Sequence, residues 1–228
     1  GPAVKLYNSI GPNPHVVRMF AAEKGLDLDL VPVDLMAGEN RRGPYTTDIN
    51  VAGQLPALQL ESGEVICEII AICEYLEEIH PDPPLIGRDA VERAETRMWT
   101  RRVDLKVAEP MGYGFRAAEG RPLFEGRMKL LRPDGADDMK AIFRDHLAWL
   151  DGSLRGDFIC GDRFSLADIL LFGFLNFGKT VGLFPSAEAI ALTAWFERVG
   201  REAGAEGARG RPLRHRDPGH RRPKARRG

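Results

Sequence analysis

The spacing of apolar residues changes character near position 80 of this 228-residue chain. Before that point, residues 4–7 read as a short buried strand. Residues 28–35 are apolar at nearly every second position, the period of a strand with one covered face. Pro32 cannot donate to a ladder, which puts this strand at a sheet edge. Between the two, Asn13-Pro14 marks a helix start, with Asn13 as N-cap and Pro14 at the first helical position. Val16, Val17 and Phe20 supply the helix's apolar side and Gly25 its stop. Residues 37–50 are polar and are expected to be irregular or to hold one short helix. Residues 57–60 and 64–66 fit a hairpin around Ser62-Gly63, and Ile66, Ile70, Cys73 and Leu76 then recur at helical spacing, with Glu68 in the first turn. Strand, helix, strand, hairpin and helix in that order predict a small layered α/β domain over residues 3–80.

His80-Pro81-Asp82-Pro83-Pro84 breaks the pattern, since each proline biases its predecessor away from helix, and 81–88 read as a linker. Beyond it, residues 89–108, 136–154, 166–178 and 188–200 carry helical periodicity with few β-branched runs, so 89–200 should form an all-helical bundle. Ser165-Leu166-Ala167-Asp168 is a capping-box variant, and the run after it is apolar nearly all round, as the buried centre of a bundle requires. Residues 201–228 have Leu213 as their one large aliphatic side chain. Nothing there offsets the entropy of ordering, so disorder is expected and the segment should be dispensable.

Composition narrows the classes. With 43% apolar residues the chain can bury a core, and no apolar run approaches the ~20 residues of a membrane helix. The start lacks the basic-then-apolar order of a signal peptide. Cys67, Cys73 and Cys160 are odd in number and lack metal-ligand spacing, which speaks against a disulfide scaffold or metal site and for a reducing cytoplasm. The net charge of −1 hides a tail at +7 and a body at −8, and an acidic body argues against nucleic acid as the main partner.

Four features in order resemble the glutathione S-transferase superfamily across about residues 3–200. They are Asn50-x-x-Gly53-Gln54-Leu55-Pro56-Ala57-Leu58, the Glu68 helix ending in Tyr75-Leu76, the double-proline linker, and Phe164-Ser165-Leu166-Ala167-Asp168. The resemblance implies an α/β thioredoxin-like N-terminal domain followed by an all-α helical-bundle domain, and a cytoplasmic, bacterial-type homodimer with detoxifying transferase activity and glutathione as co-substrate. It also implies a cis bond at Pro56 that turns the amide and carbonyl of Leu55 toward the tripeptide, a miniature strand addition.

In similar proteins an acid at the position of Glu68, followed by serine, holds the γ-glutamyl end. Here Ile69 replaces that serine, which removes its hydrogen bonds to the carboxylate and predicts weaker glutathione binding. Arg41, Arg42 and Gln54 stand where similar proteins meet the glycyl carboxylate. The reactive thiolate needs a donor, and three residues between first strand and first helix qualify: Asn13, Ser9 and Tyr7. Pro12-Asn13-Pro14-His15 is similar to the Thr-Pro-Asn-Gly-His turn of Nu-class proteins, which places Asn13 first. Met111, Tyr113, Phe115 and Arg116 are expected to face the sulfur as a pocket for an apolar electrophile. Residues 97–104 resemble bacterial β-aryl-etherases, so a β-etherase-like or dehalogenating lyase is one rival. A non-catalytic glutathione-binding scaffold, favoured by Ile69, is the other.

Overall fold

In the computed structural model, which describes residues 4–209, the short apolar runs pair into one four-stranded sheet. Its strands are β1 (Lys5–Asn8), β2 (Asp29–Pro32), β3 (Ala57–Gln59) and β4 (Val65–Cys67), in the order β2-β1-β3-β4. β1 is parallel to β2 and antiparallel to β3, and β3 is antiparallel to β4. β2 is an edge strand, as its proline requires. It stops short of residue 35 because the chain turns at Asp34, whose Oδ1 accepts from the Ala37 amide at 2.9 Å.

Helices α1 (Pro12–Glu23) and α2 (Ile69–Ile79) pack Val16, Val17, Phe20, Ile72 and Leu76 into one core with Leu6 and Leu58. At about 1.5–3 kcal/mol per fully buried side chain, this contact holds the thioredoxin-like layer together. α1 starts earlier than the sequence predicted. Gly11, not Asn13, is its N-cap, at φ 112 and with no capping side chain. Pro12 and Pro14 thereby fall at the first and third helical positions, where an N–H has no intrahelical acceptor to lose. A start at Asn13 would have used only one of the two prolines. Glu68 likewise is the N-cap of α2 and not a residue of its first turn. The polar stretch before β3 folds into a 3-10 turn (Glu39–Arg41) and a π-turn (Tyr45–Ile49).

The second half is helical: α3 (Ala90–Val103), α4 (Glu109–Ala117), α5 (Arg121–Phe124), α6 (Pro133–Ser153), α7 (Leu166–Thr180) and α8 (Ile190–Arg209). A π-turn (Asp104–Ala108) joins α3 to α4 without a break. α7 is buried along most of its length and opens with the expected capping box: Asp168 accepts from the Ser165 amide at 3.0 Å. The same carboxylate accepts from the Ile159 amide at 2.9 Å and Trp195 Nε1 at 2.8 Å. Burial pushes it up to about 6, against the pull of those three donors. α8 runs to Arg209, so residues 201–209 carry helix where disorder was expected. Ala203, Ala205 and Ala208 favour helix, and periodicity alone did not weigh them. The rest of the expected disordered tail lies outside the described residues.

Contacts on two sides hold the halves together, among others. Glu77 on α2 pairs with the buried Lys24 and accepts from the amides of Leu85, Ile86 and Gly87 at 3.0, 2.6 and 3.3 Å. Lys24 also donates to the Pro83 carbonyl at 2.7 Å. On the α1–α7 side, Gly173 admits Val16: a Cβ on Gly173 would stand 2.7 Å from Val16 Cγ2.

Candidate active site

The sheet register brings three separate segments to one end. Tyr7 pairs with Ala57 and Ala57 with Cys67. One step beyond those pairs, Leu55-Pro56 therefore runs between the β1–α1 turn and Glu68. The Leu55–Pro56 bond is cis. Among the described residues, the Leu55 N–H and C=O meet no hydrogen-bond partner. Unpaired backbone groups beside a strand are what an extended peptide needs in order to add.

The loop leading to this bond is pinned. Tyr45 Oη donates to the Gln54 carbonyl at 2.6 Å, Asn50 Nδ2 donates to the same oxygen at 3.0 Å, and Asn40 Nδ2 donates to the Gly53 carbonyl at 2.7 Å. Gly53 sits at φ 64, in the left-handed region. The sequence reading missed Asn40 and Tyr45. The one signal was a large aromatic residue, buried in the structure, within the otherwise polar stretch 37–50.

Glu68 is exposed and holds φ 74 and ψ 126, the one described non-glycine residue at positive φ. Such a conformation costs about 1–3 kcal/mol and persists where its surroundings impose it. The Ile69 side chain packs on the core at the head of α2 and offers no donor, which leaves only the backbone amide there. Asp104, in the turn between α3 and α4 and unnoticed as a site residue in the sequence, feels the charge of Glu68. Burial and then Glu109 push its carboxyl up; Arg101 opposes them and Glu68 adds to them.

The three thiol-donor candidates differ. Tyr7 donates its proton to Gln59 Oε1 at 2.9 Å, and its ring lies edge-on to Tyr45 at 5.9 Å. Ser9 donates to the Ile10 carbonyl at 3.0 Å. It lines a groove of about 430 Å³ that runs toward β2 past Leu30, Val33 and Met36 and includes neither Leu55 nor Glu68. Asn13, freed from capping, has no side-chain partner among the described residues, and both its oxygen and its NH2 are available.

On α4 the expected pocket divides into two stripes. Met111 and Phe115, four residues apart, turn into the helical core. Met111 is 1% exposed, and Phe115 meets the Phe177 ring at 5.0 Å. Met111 is thereby sealed from any electrophile, against the sequence expectation, whereas Phe115 is half-buried. Tyr113 and Arg116 occupy the other stripe, with the guanidinium 5.0 Å from the ring centroid. Arg41 lies beside Gly53, whereas Arg42 turns away to the Ala37 carbonyl at 2.7 Å. Arg127, not anticipated, bridges the halves by donating to the Leu35 and Met36 carbonyls at 2.9 Å each.

A thioredoxin-like layer with a cis-proline peptide edge, joined to an all-helical domain, defines a glutathione-transferase type of protein. The sequence profiles described as "Glutathione S-transferase, N-terminal domain" and "Glutathione S-transferase, C-terminal domain" match residues 2–78 and 137–202. Glutathione S-transferase 2 of Saccharomyces cerevisiae is 31% identical over 197 residues, covering 83% of this chain and 82% of that one. The crystal structure of Gtt2 from Saccharomyces cerevisiae matches with a TM-score of 0.82 at 28% identity, over 89% of this chain and 99% of the other. Beta-etherase LigF of Sphingobium sp. strain SYK-6 matches with a TM-score of 0.77 at 27% identity, over 90% and 98%. The chain belongs to the glutathione S-transferase family, with glutathione as co-substrate and glutathione transferase activity. None of its described helices is long and apolar enough to cross a membrane.

Proposed function

We propose that glutathione lies along Leu55 with its γ-glutamyl end at Glu68, its glycyl end toward Arg41 and Gln54, and its sulfur at Asn13. The observation that carries this reading is the unpaired Leu55 backbone beside the cis bond, in register with both the β1–α1 turn and Glu68. Asn13 Nδ2 donates to the sulfur and stabilises the thiolate as it forms. Because Pro12 and Pro14 have no N–H, the Asn13 backbone amide is the one donor in the first three positions of α1 and adds to the same field. Glu68 faces the γ-glutamyl ammonium, with Asp104 behind it. The thiolate then attacks an electrophile whose apolar part rests on Tyr113, or reduces a disulfide or peroxide bond. We read the protein as a cytoplasmic, detoxifying homodimer of bacterial type.

A second reading, cleavage of an ether or carbon–halogen bond by the same thiolate, is supported by the likeness to LigF. Turnover of 1-chloro-2,4-dinitrobenzene beside calorimetric glutathione binding tests the proposal. Saturable turnover with measurable binding is expected. Binding without turnover on chloroarenes or aryl ethers would make the protein a glutathione-binding scaffold.

A further inference from the structure

The turn that follows β2 is held from two directions. Residues 34–41 close on themselves: the Glu39 amide donates to the Asp34 carbonyl at 3.0 Å, Gly38 to Leu35 at 3.1 Å and Arg41 to Gly38 at 2.9 Å. Among the described residues, three hydrogen bonds tie this turn to distant parts of the chain. At one end Arg127, from the helical domain, donates through Nη1 to the Leu35 carbonyl and through Nη2 to the Met36 carbonyl, each at 2.9 Å. At the other end Asn40 Nδ2 donates to the Gly53 carbonyl at 2.7 Å. Both ends are close approaches. A Cβ on Gly38, which sits at φ 74, would stand 3.4 Å from Arg127 Nη2, so the guanidinium lies against bare backbone. A Cβ on Gly53 would stand 3.0 Å from the Asn40 carbonyl oxygen, which sets the turn's backbone against the Gly53 backbone.

Asn40 is 2% exposed and its Oδ1 is buried without a partner. Its side chain therefore makes one bond, to Gly53, and the turn's backbone sets the aim of that bond. Gly53 stands two residues before Leu55, so a shift of the turn reaches the peptide-binding edge. Arg127 is itself fixed, because its amide donates to the Phe124 carbonyl at 2.9 Å. A planar guanidinium holds two successive carbonyls as a fork, which an ammonium, a point donor, cannot reproduce. We propose that Arg127 is a positioning residue for the Leu55 edge: its fork sets the turn, the turn aims Asn40, and Asn40 holds Gly53. The proposal deepens the glutathione-transferase reading and, for its effect on ligand binding, rests on it. Without the fork the turn samples other positions, and when a fraction f remains competent the apparent Kd for glutathione rises by 1/f.

Calorimetry of glutathione binding to the full chain tests the path. Arg127→Gln is expected to raise Kd about tenfold, the effect of a competent fraction of about one tenth, and Arg127→Lys to recover part of the loss. Asn40→Ala should weaken binding to a similar degree. The double variant Arg127→Gln/Asn40→Ala should bind no worse than the poorer single one, since both act through one path. A merely structural Arg127 would lower the melting temperature without this non-additivity. An unchanged Kd in Arg127→Gln, or single effects that multiply in the double variant, would overturn the proposal. Hydrogen exchange on the ligand-free protein supplies a readout independent of glutathione. Amides of residues 35–41 and of Gly53 should exchange faster in Arg127→Gln than in the wild type, and equal rates would also overturn it. Faster exchange in a protein whose wild type binds no glutathione would support the path and count against the transferase reading alone. Arg127→Lys carries the same comparisons should Arg127→Gln fail to fold.

Discussion

Gly173→Ala tests whether the α1–α7 contact positions the thiol site. The added Cβ would stand 2.7 Å from Val16 Cγ2, some 0.7 Å inside ordinary van der Waals contact. Val16 is fully buried and β-branched, and such a side chain has about one good rotamer in a helix. It cannot swing aside, so the helices must separate. Exchange of glycine for alanine in a helix gains about 1 kcal/mol of propensity, while overpacking of this kind costs about 1–3 kcal/mol. A net loss of about 1 kcal/mol follows, or a melting temperature about 2–4 °C lower for a protein of this size. Val16 is three residues from Asn13, and sub-ångström misplacement of a reacting group lowers rates by up to about a hundredfold. Turnover of chlorodinitrobenzene should therefore fall more than the small stability loss explains. Gly152→Ala on α6, with open space around its Cβ, is the control and should stabilise the protein with turnover unchanged. If Gly173→Ala stabilises the protein as much as Gly152→Ala does and turns over normally, the contact is looser than the geometry states.

Other parts of the account predict as follows. Glu77→Ala strands the Lys24 ammonium and three amides, and should cost about 3–5 kcal/mol in urea denaturation; a loss below about 1 kcal/mol would remove Glu77 as the anchor of the interdomain segment. Glu68→Gly relieves the positive φ and should raise stability by about 1 kcal/mol while weakening glutathione binding, and unchanged binding would detach Glu68 from the γ-glutamyl end. Burial raises the Asp168 carboxyl to about 6 from 3.8, so its protonated form favours the fold. That contribution, up to about 3 kcal/mol, is fully present below about pH 4 and is lost as pH rises through 6. Asp168→Asn should flatten the fall in melting temperature between pH 4 and 7, and an equal slope in both proteins would contradict the raised value.

The parts of this molecule that were legible in its sequence are those set by local chemistry. Pro32 announced an edge, Ser62-Gly63 a hairpin and Ser165 with Asp168 a capping box, because each effect acts within a few residues. Periodicity marked 89–108 and 136–154 and passed over α4 between them, so nothing said which of its stripes faced the core, and Met111, sealed in that core, was read as a pocket wall beside Tyr113 and Arg116. The prolines at 12 and 14 each permit a helix start, and the choice was decided by using both. Glu77 reaches amides eight to ten residues away in an irregular segment, and Arg127 reaches carbonyls 91 and 92 residues away. No spacing rule encodes such contacts, because they depend on how finished elements pack.

The central claim is that Asn13 holds the sulfur of bound glutathione as a thiolate. Its most direct test is a pH titration of the ultraviolet thiolate absorption of glutathione bound to the wild-type protein and to Asn13→Ala, at ligand concentrations that saturate both. The wild-type midpoint should lie well below the free-thiol value of about 8.5, and the variant's should move back toward it. A single midpoint shared by both proteins would contradict the account and return the role to Ser9, Tyr7 or the helix end alone.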